Sequence, residues 1–188
     1  ALFALAIQSS ILEARHDTNL AFPGGLDFVA FFLDDGTIAG EAEAVHHFAE
    51  LFKTSMANKG LALNTAKCEV VPAAGSATTV PQERFSGWQW IGDGCFKLLG
   101  APLGSIEFCQ AHTMKRISKA DSIFEGLRRY SDTQGALLLF RQCASWCKLI
   151  YSARTVPPDL HNEALKLFRS KLRSTLEHLA GDALAVAY

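Results

Sequence analysis

The sequence predicts an α+β chain. A small antiparallel sheet with flanking helices is expected over residues 1–105, and an all-helical bundle over 106–188. Three observations carry this. Leu26–Leu33 is a short Phe- and Val-rich run that meets Asp34-Asp35-Gly36 and Thr37-Ile38-Ala39, a strand and hairpin signal. Val45, Phe48, Phe52 and Met56 recur at helical spacing within Glu41–Lys59. Beyond residue 106, only helical periodicity remains.

Taken in order, Ala1–Ala14 reads as a helix, with Leu2, Leu5, Ile11 and Leu12 available for a core. Asp17 is expected in a polar connector, and Pro23-Gly24-Gly25 marks a loop. After the hairpin, for which Gly36 is expected to provide the turn, Glu41–Lys59 ends at Gly60, a C′ glycine. Leu61–Asn64 and Lys67–Val71 read as extended pieces, and residues 72–87 as a loop. Trp88–Ile91 and Cys95–Leu99 are expected to pair around Gly92-Asp93-Gly94, and Gly100–Gly104 closes the section. In the first helix of the bundle Met114, Ile117, Phe124 and Leu127 form the apolar stripe, with Lys115, Arg116 and Lys119 largely off it. Ser131-x-x-Gln134 fits a capping box. The helix it opens, to about Tyr151, is apolar almost all round and is expected at the bundle centre. Pro157-Pro158 breaks it, and Asp159 is expected to cap a last helix. That helix turns Leu165, Phe168, Leu172, Leu176 and Leu179 inward and Lys166, Arg169, Lys171 and Arg173 mostly outward, and ends at Gly181.

At 49% hydrophobic and 20% charged residues, the chain can bury a core. No apolar run is long enough for a transmembrane helix, and no signal peptide is legible. The chain opens in mid-pattern, so upstream residues are expected. The five cysteines (Cys68, Cys95, Cys109, Cys143 and Cys147) are odd in number and form no CxxC. They read as buried, reduced thiols of a reducing compartment. The net charge of −1 hides an asymmetry. Residues 1–114 hold 6 basic and 12 acidic side chains, and residues 115–188 hold 12 and 7. Cations suit the first part and a polyanion the second.

The chemistry lies in Asp34 and Asp35. Neighbouring residues of a strand point to opposite faces, so two adjacent carboxylates serve one metal only where the chain turns. The preceding strand is apolar, and a clefted like-charge pair is costly without a cation. Mg²⁺ takes oxygen ligands and is held by one or two carboxylates plus substrate phosphates. Two such ions can clamp an in-line phosphoryl transfer.

Phe32-Leu33-Asp34-Asp35 resembles the aromatic-x-Asp-Asp signature of reverse transcriptases. The helix 41–59 comes next, in the expected place. Gly60-Leu61-Ala62-Leu63-Asn64-Thr65-Ala66-Lys67-Cys68 is similar to the GLxLNxxKC segment of non-LTR retrotransposon polymerases, and Lys97–Gly104 to their LGxxL primer-grip hairpin. Ala1–Ala6 resembles the stretch just after their template-contacting turn. The resemblance covers residues 1–105. It implies a partial polymerase palm, with 106–188 as a helical thumb. Asp34 and Asp35 would be two of three catalytic carboxylates and the ligands of Mg²⁺ (two ions, or Mn²⁺). Lys67 would lie near the nucleotide triphosphate. Phe32, Gly36, Leu99, Gly100 and Leu103 would sit near primer and nucleotide. Lys115, Arg116, Lys119, Lys166, Arg169 and Arg173 would hold the nucleic-acid backbone. The implied partners are an RNA template, a DNA primer, dNTP and the upstream remainder of the polymerase domain. The implied location is intracellular and nuclear. The third aspartate is not found before Leu26, so the expected activity is that of the intact polymerase and not of this stretch alone. Two other readings fit the residues: a non-enzymatic nucleic-acid-binding helical module from a decayed retroelement, and a palm-type nucleotide cyclase.

Overall fold

The computed structural model describes residues 2–73 and 80–181. The chain is α+β, with helices predominating over three two-stranded sheets and a helical C-terminal region. It forms two compact units, divided between Gly92 and Asp93. The primer-grip-like hairpin, expected to go with residues 1–105, therefore belongs with the second unit.

In the first unit, α1 (Leu2–Ala21) packs on α2 (Ala42–Asn58), and the hairpin β1 (Leu26–Phe32)–β2 (Asp35–Gly40) lies against them. α1 is longer than expected and includes Asp17. It also buries a different face. Ile7, Ser10, Ala14 and Thr18 are buried, while Leu2, Leu5 and Leu12 are exposed. The buried residues are mostly small, which admits close approach, and polar bonds replace bulk at the contact. Lys59 Nζ donates to Ser10 Oγ at 2.7 Å, Ser55 Oγ donates to Ser10 Oγ at 2.9 Å, and Thr18 Oγ1 meets His47 Nδ1 at 3.2 Å. α2 has the expected stripe, with Phe48, Phe52 and Met56 buried. Val29, Phe31 and Ile38 of the hairpin pack against this core.

The hairpin turn is Leu33-Asp34, because Phe32 pairs with Asp35. Gly36 does not make the turn. It stands in β2 opposite Phe31, and a Cβ there would run into the Phe31 ring. That ring is itself packed 5.3 Å from Phe52. Gly36 thus serves close packing.

Lys67 closes a 3₁₀ turn (Thr65–Lys67) where an extended piece was expected. β3 (Glu69–Val70) pairs in parallel with β4 (Gln89–Trp90), so Trp88–Ile91 does not pair with Cys95–Leu99. Of the expected loop 72–87, residues 74–79 lie outside the described ones. Gln82–Phe85 is a 3₁₀ turn that buries Phe85 against His46 and Trp88.

In the second unit β5 (Phe96–Leu98) and β6 (Ala101–Leu103) pair antiparallel. Next come α3 (Ile106–Arg128), α4 (Thr133–Leu139), α5 (Ile150–Thr155) and α6 (Asn162–Ala180). On α3, Thr113 takes the buried position expected of Met114, which is exposed. Asp132, not Ser131, caps α4 by accepting from the Gln134 and Gly135 N–H groups. The helix expected to reach Tyr151 is broken. Phe140–Ala144 is a π-helical turn, Ser145 leaves the helical region (φ −79°, ψ −147°), and Trp146–Lys148 is a 3₁₀ turn. Leu149 is buried, but Leu138, Trp146 and Ile150 are exposed, as are Cys143 and Cys147. Cys109 is the fully buried thiol, and all five cysteines are free. The chain turns after α5 at the two prolines. Asp159 lies in a 3₁₀ turn, and buried His161 opens α6. On α6, Phe168 and Leu179 are buried and Leu176 is exposed. Among the described residues, no helix is long and apolar enough to cross a membrane.

His161 is fully buried, with Nδ1 3.0 Å from Thr113 Oγ1 and no partner for Nε2 among the described residues. Burial pushes its pKa below the ordinary 6.5, against a smaller opposing pull from Asp159. His112 is lowered by burial first, then by Arg116, Lys97 and Lys115. A depressed histidine costs nothing while both states are neutral. Below the unfolded pKa the unfolded chain takes up a proton that the fold refuses, so stability falls as pH drops. Denaturant midpoints of the second unit should therefore fall between about pH 7 and about pH 5.5, with a slope of at most about 1.4 kcal/mol per pH unit for each histidine. Replacing both with Gln should flatten that slope. A slope unchanged in the double variant would refute the assignment. In the first unit, Gly36→Ala should cost about 1–3 kcal/mol by forcing Phe31 off Phe52, read from thermal unfolding.

Candidate functional site

The tip of the first hairpin is built by its inner face. Val29, Phe31 and Ile38 alternate into the core, which sends Phe28, Ala30 and Phe32 to the other side. Residues directly opposite share a face. Asp35, opposite Phe32, therefore stands on the outer face with Phe28 and Phe32, whose exposures are 52% and 65%. Asp34 occupies the turn itself. Both carboxylates are exposed, and neither makes a hydrogen bond or ion pair among the described residues.

Leu33 has φ +59° in the first position of this two-residue turn. That is the left-handed region, which a glycine would normally supply in a type II′ hairpin. Leu33 is 51% exposed, so its conformation is not compensated by full burial. A strained residue beside an unpaired carboxylate pair points to function.

Exposed carboxylates are oxygen donors of the class that hard cations such as Mg²⁺ use, one or two at a time alongside water. Among the described residues, no group of three His, Cys, Asp or Glu side chains is gathered to make a fuller cage. Lys67, in the same unit, is exposed and has no side-chain partner among the described residues.

The second unit holds the other expected residues. Leu99 and Gly100 form the tip of the β5–β6 hairpin, with φ +49° and +82°, the type I′ arrangement. Leu103 pairs with Phe96 and is partly exposed. Tyr151 Oη donates to the Leu99 carbonyl at 2.5 Å, and the Arg116 guanidinium lies 5.1 Å from the centre of the Tyr151 ring.

The expected backbone-binding cations fall into two groups. On α6, Lys166 pairs with Glu163 at 2.7 Å and Arg173 with Glu177 at 2.7 Å, while Arg169 is exposed. On α3, Lys115, Arg116 and Lys119 form no ion pair among the described residues. Arg116 and Lys119 line an open groove of about 310 Å³ with Ala120, Ile123 and Lys148. Sequence reasoning missed Lys148 and Tyr151, because a continuous helix gives no reason to place them beside α3. The one available signal was Ser145, a weak helix former inside an apolar run.

Compared with models of protein families, with curated proteins and with solved structures, the chain has no match.

The two left-handed leucines are testable. Leu33→Gly and Leu99→Gly should each stabilise their unit by about 1 kcal/mol, by removing the Cβ clash of that conformation. Urea denaturation reads this directly. Destabilisation by both substitutions would show that the turns are not strained.

Proposed function

We propose that the chain is palm and thumb of a reverse-transcriptase-like polymerase, with Asp34 and Asp35 as two of its metal-binding carboxylates. The observation that carries this reading is the exposed, unpaired Asp34-Asp35 pair at a strained hairpin tip, clamped from behind by Val29, Phe31 and Ile38. The resemblance of the segments that come after it in order adds support.

In this reading Asp34 and Asp35 hold Mg²⁺. Bound there, the ion neutralises charge on the phosphoryl group being transferred and its oxygens. Phe32, beside Asp35 on the outer face, offers an exposed ring to the primer end. Lys67 offers a free ammonium to the triphosphate of dNTP. The Leu99–Leu103 hairpin positions the primer strand. Arg116 and its neighbours on α3 hold the backbone of the RNA template and DNA primer without first giving up a carboxylate partner. On α6, Lys166 and Arg173 would have to release Glu163 and Glu177. The third carboxylate comes from outside the described residues, and the setting is nuclear.

The test is primer extension on an RNA template with dNTP and Mg²⁺, by the full-length protein that carries this chain. Asp34→Asn should lower the extension rate by about 100-fold or more, the scale of removing one group that stabilises transition-state charge. Lys53→Gln, a charge change on α2, should leave the rate unchanged. Extension that survives Asp34→Asn would remove the assignment.

A further inference from the structure

Two of the five thiols are brought together by the way the chain enters α3. Ser105 caps that helix, so Gly104 stands just before the cap and Cys109 is the fourth residue after it. Side chains at these two positions pack on each other at helix starts, as a staple that fixes the entry of the chain. Here the first position has no side chain. A Cβ on Gly104 would lie 2.7 Å from Cys95 Sγ and 3.1 Å from Cys95 Cβ. Cys95 stands there because the β5–β6 register, with Phe96 opposite Leu103, sets Cys95 and Gly104 side by side at the base of the hairpin. The Cys95 thiol therefore fills the place of the missing side chain, from which a staple reaches Cys109.

Hydrogen bonds hold both residues on the same entry segment. Ser105 N–H donates to Cys95 Sγ at 3.4 Å, and the Ser105 carbonyl accepts from Cys109 N–H at 3.0 Å. The Cys109 thiol donates to the Pro102 carbonyl at 3.7 Å. Burial, and after it the nearness of Cys95, pushes the Cys109 thiol above its ordinary pKa. The second cause needs the two thiols within electrostatic reach of each other. Their exposures differ: Cys95 is half-buried and open to a reagent, while Cys109 is fully buried behind it.

We propose that Cys95 and Cys109 are a thiol pair that closes to a disulfide under oxidation and clamps the β5–β6 hairpin to α3. A small disulfide of the oxidised-glutathione class is the oxidant. The Cys95 thiolate attacks one glutathione sulfur, the glutathione S–S bond breaks, and one glutathione thiolate leaves. The Cys109 thiolate then attacks Cys95 Sγ in the mixed disulfide and displaces the second glutathione. Two protein thiols become one disulfide, one glutathione disulfide becomes two glutathione thiols, and the two protons lost by the cysteines end on the glutathione sulfurs. The tip of the same hairpin is already held, since Tyr151 Oη donates to the Leu99 carbonyl. The new bond pins the base, so the oxidised hairpin is fixed at both ends. The pair uses neither Asp34-Asp35 nor a nucleic acid, so it and the polymerase reading can fail separately.

The experiment is a glutathione redox titration of the full chain, read by mass spectrometry of unreduced tryptic digests. Cleavage after Arg84, Lys97 and Lys115 puts Cys95 and Cys109 on separate peptides, residues 85–97 and 98–115. These should appear joined, and lighter than the two separate peptides by two hydrogens. A variant carrying Cys68→Ser, Cys143→Ser and Cys147→Ser leaves this pair alone. Its disulfide should form about 30-fold or more favourably against glutathione in buffer than in urea that unfolds the chain, because a bond that fits the fold stabilises it. Glutathione caught on Cys95 with no joined peptides at any ratio would make Cys95 a lone surface thiol and overturn the proposal. An equilibrium no more favourable in buffer than in urea would show that the fold holds the two sulfurs apart, and would overturn it too.

Discussion

The ring of Phe31 lies over Gly36, and the first unit's functional geometry depends on that close approach. The Cβ of any side chain at position 36 would overlap the ring, so only glycine lets Phe31 settle between the opposing strand and Phe52. Once Phe31 is seated, the alternation of the strand is fixed. Val29 and Ile38 must face inward, and Phe28, Phe32 and Asp35 must face outward. A slip of one residue would bury the carboxylate and expose the core set. Close packing on the hidden face thus decides where the chemistry-bearing groups stand on the open one. The same fixed register leaves only two residues for the turn, and this puts Leu33 into a left-handed conformation.

In the second unit the corresponding constraint is the interruption of a helix. Leu149 is fully buried beside the core formed by α3, α4 and α6, while the residues on either side of it are exposed. A straight helix through residues 133–155 would carry a wide apolar stripe with no second surface to cover it. The π-helical turn and Ser145 redirect the chain so that Ala144 and Leu149 both reach the core. The outward residues then become available for other work: Lys148 borders the basic groove, and Tyr151 reaches both Arg116 and the hairpin tip. One short irregular segment therefore links packing, a turn and a charged surface.

Elements governed by local periodicity were legible in the sequence. The β1–β2 hairpin and α2 arise from alternation and from Phe48, Phe52 and Met56. The end of α5 is set by two prolines that cannot continue a helix. The parts that could not be read depend on non-local partners. The buried face of α1 is chosen by Ser55, Lys59 and His47, far along the chain, and these favour Ser10 and Thr18 over the bulkier leucines. The parallel β3–β4 pair joins segments about twenty residues apart with no local turn signal. The break after Leu139 contains no glycine or proline, so no strong helix breaker marks it. At the candidate site Asp34 and Asp35 were legible as a pair, and the role of Gly36 was not. Its neighbour in sequence suggested a turn, but its neighbour in space is an aromatic ring.

Net charge made the two halves of the chain look like an acidic part and a basic part, but the structure sorts the basic residues more finely. A lysine three or four residues from a glutamate on an exposed helix is partly neutralised before any ligand arrives, and the energy of such a pair is small. Lys166 and Arg173 are of this kind. The cations of α3 have no such partner, and their mutual repulsion is a standing cost to the fold. That cost is relieved when an anion enters. Asp121 is engaged by Lys171 and not by the neighbouring cations of α3, which supports the proposed contact of that face with phosphates. The partner state of each basic residue, rather than the number of them, is what distinguishes a solvated helix face from a binding face.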